Sequence, residues 1–123
     1  MHTAARSLHV LVVDDEPLIR WSVAETLGGA GHDIVEAADA MAALRALADG
    51  PEPDLVLLDF RLPDSNDLEL LAEIRRRAPH ATVIMMTAFG TPEVTAGALQ
   101  LGASQVLNKP FNMRDLEAIV RAL

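Results

Sequence analysis

The chain has 123 residues, half of them hydrophobic and 23% charged, with a formal net charge of −8. That is one domain with enough apolar material for a core, and its acidic balance argues against a nucleic-acid surface. The absence of cysteine excludes disulfides and thiolate metal sites, and no apolar run approaches the ~20 residues that would span a bilayer.

Met1-His2-Thr3-Ala4-Ala5-Arg6-Ser7 lacks the apolar centre of a secretion signal and reads as a flexible leader over 1–7. Leu8 to Val13 is apolar apart from His9 and ends in Asp14-Asp15, the pattern of a strand buried on both faces. Pro17 suits the first turn of a helix with Ile19, Val23 and Leu27 on one stripe, Trp21 pointing away from it, and Gly28-Gly29 with Gly31 closing it. Asp33 to Ala37 alternates like an edge strand. Asp39 can cap a second helix whose inner face is Met41, Leu44 and Leu47, with Gly50-Pro51 after it. Leu55-Val56-Leu57-Leu58 is another doubly buried strand and runs directly into Asp59. A loop from Arg61 to Asp67 leads to a third helix marked by Leu68, Leu71 and Ile74 and ended by Pro79. Thr82 to Thr87 is a buried strand finishing in a hydroxyl. Thr91-Pro92-Glu93 starts a short fourth helix that carries Gly97 inside it. Gln105-Val106-Leu107 is the last strand and ends in Asn108-Lys109-Pro110. Asn112 caps a final helix with Leu116, Ile119, Val120 and Leu123 inward.

Strand and helix alternate five times, which predicts an α/β fold: a doubly wound, five-stranded parallel sheet of order 2-1-3-4-5 with five helices. Ligands of such sheets bind at the carboxyl ends of the strands, and four of these ends carry Asp14-Asp15, Asp59, Thr87 and Lys109, the only lysine. The first and third strands are neighbours in that order, so Asp14, Asp15 and Asp59 should converge. Three carboxylates at close range repel unless a cation or proton intervenes. An all-oxygen donor set suits Mg2+ and disfavours zinc. A carboxylate beside such an ion can act as a nucleophile toward phosphorus, with Lys109 offsetting charge on the transferring oxygens and the Thr87 hydroxyl donating to the phosphoryl group.

Taken together, Asp14-Asp15-Glu16, Asp59 after its apolar run, Thr87-Ala88 and Lys109-Pro110-Phe111 resemble the receiver domain of two-component response regulators, over Leu8 to Leu123. The segments Ile19-Arg20-Trp21, Met86 to Thr91 and Lys109-Pro110-Phe111 are similar to the NtrC-like subgroup, whose receivers usually precede an AAA+ ATPase and a DNA-binding helix-turn-helix. The resemblance implies a flavodoxin/CheY-like fold, a receiver domain over 8–123, and Asp59 as phosphoacceptor from a sensor histidine kinase. It implies Mg2+ on Asp14, Asp15, Asp59 and the Arg61 backbone carbonyl, Thr87 as switch hydroxyl, Lys109 as phosphate-binding lysine, and a cis peptide before Pro110. It also implies no enzyme beyond its own phosphorylation and dephosphorylation, and a cytoplasmic switch whose fourth helix, last strand and final helix control an output domain or partner, with transcription regulation as the output, and form a homodimer surface. No nucleic acid or membrane contact is implied for this segment.

Two departures from that pattern bear on the mechanism. Many receivers carry an aromatic residue three positions before the lysine; here Val106 stands there, and valine cannot swing into a pocket left by Thr87. Asp67 stands where glycine is common. Arg61 and Phe89 occupy positions that tune phosphoryl lifetime in the family. The alternative function is therefore a receiver-like interaction module that does not switch by phosphorylation. A phosphohydrolase of the haloacid dehalogenase type needs an Asp-x-Asp run that Asp14-Asp15-Glu16 does not supply. Trp21 is a candidate for kinase docking or plain edge cover. Arg75-Arg76-Arg77 suits a helix carboxyl end.

Overall fold

The structure, a computed structural model, describes residues 7–65, 68–88 and 90–123. The readings placed on residues 1–6, Asp67 and Phe89 lie outside the described residues. Strands and helices alternate as β1 (His9–Val13), α1 (Pro17–Gly29), β2 (Asp33–Ala37), α2 (Ala40–Asp49), β3 (Leu55–Asp59), α3 (Glu69–Arg77), β4 (Thr82–Thr87), α4 (Pro92–Gln100), β5 (Gln105–Asn108) and α5 (Met113–Arg121). The strands form a parallel sheet in the order β2-β1-β3-β4-β5, the arrangement that the alternation of elements predicts.

Successive strand residues point to opposite faces, so each apolar run feeds two cores. Val10, Val12, Leu55, Leu57, Ile84 and Met86 pack with Val23 and Leu27 of α1 and Leu116 and Val120 of α5. Leu11, Val13, Val56, Leu58, Val83 and Met85 pack on the other face with Ala43 of α2, Leu70, Leu71 and Ile74 of α3, and Ala98 of α4. Each fully buried leucine of β3 contributes about 1.5–3 kcal/mol. The three central strands thus hold the sheet rigid, while β2 and β5 at its edges stay partly exposed.

The helix starts follow the sequence signals: Asp39, Thr91 and Asn112 accept hydrogen bonds from the backbone N–H of Ala42, Val94 and Asp115. Two packing expectations need correction. Met41 is 61% exposed, because α2 presses close to the sheet through Ala43, and Met41 lies two positions away on the opposite side of the helix. Leu123 is 54% exposed, since it lies beyond the end of α5 and no longer follows the helical period. The first helix ends at Gly28-Gly29 as expected, and the chain turns at Gly31, whose φ of +96° suits glycine.

Candidate functional site

The sheet register sets the carboxyl ends of β1, β3, β4 and β5 side by side: Val13 pairs with Leu58, Asp59 with Met86 and Thr87 with Asn108. The next residue after β1 is Asp14, fully buried; Asp59 is 6% exposed and Thr87 1%. Taken as whole residues, these are the only polar ones buried to this degree among the described residues. Burying charge is costly unless a partner compensates it, and here the partner is Lys109, which leaves β5 through a cis Lys109–Pro110 bond.

The Lys109 ammonium donates to Asp14 Oδ2 at 2.8 Å, Glu16 Oε1 at 2.7 Å and Asp59 Oδ2 at 3.2 Å. An intervening cation is what three converging carboxylates require, and the lysine supplies one. Local backbone groups hold the acids in place. Glu16 N–H donates to Asp14 Oδ1 at 2.9 Å and Arg61 N–H to Asp59 Oδ1 at 3.3 Å. Arg20, itself paired with Glu36, donates to the Asp14 carbonyl at 2.7 Å. Lys109 N–H reaches the Thr87 carbonyl at 2.8 Å, which ties the lysine's backbone to the end of β4.

Burial, and then the neighbouring Asp14 charge, push the Asp59 carboxyl up to about 6; Lys109 and the Arg61 N–H pull it the other way and only partly succeed. For Lys109, burial alone would lower the ammonium's pKa, but hydrogen bonds to Asp14 and Glu16 outweigh it and hold the group above the usual lysine range. The lysine is therefore a fixed positive charge, whereas Asp59 is an acid held near its own deprotonation.

An open depression of about 260 Å³ lies over this cluster, lined by Asp15, Glu16, Asp59, Arg61, Ala88 and Lys109. The sequence-predicted residues Asp14, Asp15 and Asp59 each offer a carboxylate oxygen within 4.8 Å of the others. Asp15 is exposed while Asp14 and Asp59 are buried, an all-oxygen set with one side open to water that fits a hard divalent ion such as Mg2+. Thr87 ends β4 beside the cluster but does not line the depression; Ala88 does. Val106 lies half-buried against the core on the α4 side. Glu16 as a third anion on Lys109 was not foreseen; a lone lysine in a chain bearing an Asp-Asp-Glu run was the available signal.

Residues 10–121 match the response regulator receiver domain family. The chain is 39% identical over 111 residues to the DNA-binding transcriptional regulator NtrC of Escherichia coli, covering 90% of this chain but 24% of NtrC. Among solved structures, NtrX from Brucella abortus is 37% identical with a TM-score of 0.86, covering 95% of this chain and 26% of that one. A CheY-like receiver domain protein from Methanospirillum hungatei has a TM-score of 0.89 at 30% identity, covering 95% and 93%. The chain thus spans about a quarter of NtrC's length.

Proposed function

The chain belongs to the response regulator receiver domain family, and on that footing we propose that it is a phosphorylation-activated signalling switch, with Asp59 accepting a phosphoryl group from a sensor histidine kinase. The receiver unit is taken as residues 8–123. The observation that carries the reading is the shared contact of one buried ammonium with Asp14 and Asp59 at the carboxyl edge of the sheet. Such an arrangement offers positive charge where a phosphoryl group on Asp59 would place its oxygens.

Asp59 is the nucleophile: a carboxylate oxygen forms a bond to phosphorus while the phosphorus–nitrogen bond of a phosphohistidine breaks and the imidazole leaves. Only the ionised carboxylate attacks; burial raises the group to about 6 in the metal-free chain, so a cation beside Asp59 favours the reactive form. Lys109 offsets charge on the phosphoryl oxygens, and the Thr87 hydroxyl donates to one of them. Mg2+ would be held by Asp14, Asp15, Asp59 and the Arg61 carbonyl, and when bound supplies further neutralisation between two approaching anions. The protein acts on no other substrate; it forms and loses its own acyl phosphate.

The phosphorylated state would then alter the α4-β5-α5 surface, which exposes Leu99 and Leu101. That surface would control an output domain or partner and support a homodimer. A transcriptional output is the natural proposal, since NtrC is a DNA-binding transcriptional regulator. The setting would be cytoplasmic; among the described residues no helix is long and apolar enough to cross a membrane.

The test is incubation with Mg2+ and acetyl phosphate followed by intact mass. A gain of one phosphoryl group, removed by hydroxylamine and absent in Asp59→Asn, supports the proposal; an unmodified chain rejects it. Val106 motivates a second reading, a receiver-like module that binds partners without switching. It predicts an oligomeric state indifferent to beryllofluoride, a phosphoryl mimic, in scattering measurements, whereas the leading reading predicts a change.

A further inference from the structure

An ammonium has three protons to donate, and on Lys109 all three face carboxylates: Asp14, Glu16 and Asp59. The three acceptors are not alike. The side chains of Asp14 and Asp59 are 0% and 7% exposed, and both are pinned by backbone N–H groups. The Glu16 side chain is 55% exposed, yet it makes the shortest of the three contacts, 2.7 Å. Its backbone is fixed, because Glu16 N–H donates to Asp14 and the Glu16 carbonyl accepts from Arg20 at the start of α1. Glu16 is thus an acid whose main chain is anchored and whose carboxylate can turn into water without disturbing the fold.

A phosphoryl oxygen on Asp59 needs a proton from Lys109 that is already engaged. Acylation takes the charge off the Asp59 carboxyl, but the phosphoryl group brings several anionic oxygens, and of the two acceptors that keep their charge, Glu16 is the one that can let go cheaply, since an exposed ion pair is weak. We infer that Glu16 is a positioning residue: it holds the Lys109 ammonium at the mouth of the site and is displaced from it by the phosphoryl group. This rests on the phosphoacceptor reading above. Glu16 then competes with the phosphoryl group for one proton, and the state with a filled Asp59 is weaker than Lys109 alone would make it.

The experiment uses the whole chain, saturating Mg2+ and beryllofluoride, with binding followed by fluorine NMR. Glu16→Gln should bind the mimic about fivefold more tightly, the size expected for removing an exposed ion pair. Glu16→Asp keeps the charge but shortens the reach, and should tighten binding by a similar factor. Because Lys109 is the only lysine, its side-chain methylene resonance is a direct second readout. In metal-free protein it should shift in both variants, and on adding Mg2+ and beryllofluoride all three proteins should converge on one position. If Glu16→Asp behaves as wild type while Glu16→Gln tightens, Glu16 acts by its charge at a distance and the inference is overturned. Unchanged binding in both variants, or an unmoved lysine resonance, overturns it as well. A wild-type chain that takes no beryllofluoride at all removes the phosphoacceptor reading first and the inference with it, and the missing fluorine signal tells that case apart.

Discussion

The two ends of the sheet are built to different rules. At the amino end lies a larger cleft, about 420 Å³, between β1, β2 and the end of α2, lined mostly by apolar groups such as Val10, Leu11, Ile34, Ala46, Leu47 and Pro53. Its polar lining pairs in an ordinary way on the surface, His9 with Asp33, and elsewhere on the surface His80 pairs with Glu52. At the carboxyl end the depression is smaller, yet three carboxylates crowd one ammonium and two of them are buried. Volume therefore does not locate the chemistry in this fold. Buried charge does, because a sheet end that served only structure would have no reason to bury like charges side by side.

The contrast is broken most forcefully by Lys109→Met. Asp14 and Asp59 would be left buried without their cation, and the fold should lose about 3 kcal/mol near neutral pH. Thermal melts as a function of pH would show the loss shrinking as pH falls, starting above pH 6, because Asp59 without its lysine takes up a proton more readily than in wild type.

The opposite change sharpens it. The folded-state pKa of Asp59 is raised, so the folded chain binds more protons than the unfolded chain between about 4 and 6. Stability from this group is full below the unfolded pKa and falls as pH rises through about 6. Asp59→Asn should remove that slope and stabilise the metal-free protein at pH 7.5 by about 1–2 kcal/mol, read by urea unfolding. Saturating Mg2+ should stabilise wild type by about 2.7 kcal/mol at a hundredfold excess over the dissociation constant, and should do less for Asp15→Asn.

A smaller effect concerns the loop that leaves the site. The Asp64 carboxylate accepts from the N–H groups of Ala40 and Met41, which ties this loop to the first turn of α2. The first of these bonds keeps the carboxyl below its ordinary range. Asp64→Ala should cost about 1 kcal/mol, as the loss of a helix cap does. At the amino end, His80→Ala should change stability by no more than about 0.5 kcal/mol, since its exposed pairing with Glu52 is of the weak surface kind.

What the chain disclosed in advance follows from the range of the forces involved. β1, β3 and β4 were readable because doubly buried strands need unbroken apolar runs, and Asp14, Asp59, Thr87 and Lys109 followed as the residues at the ends of those strands and of β5. Capping by Asp39, Thr91 and Asn112 is local, and it too could be read. The Asp64 contact with α2 spans 24 residues and that of Glu16 with Lys109 spans 93; only the folded sheet brings them together. Met41 misled because small residues let α2 approach closely, so that Ala43 took the buried position that a larger side chain was expected to fill.

The most direct measurement of the central claim is a crystal structure with Mg2+ and beryllofluoride. It should show beryllium bonded to an Asp59 carboxylate oxygen, a fluorine in contact with Lys109 Nζ, and the metal among Asp14, Asp15 and Asp59. Beryllofluoride bound elsewhere, or a metal held without Asp14 and Asp15, would contradict it.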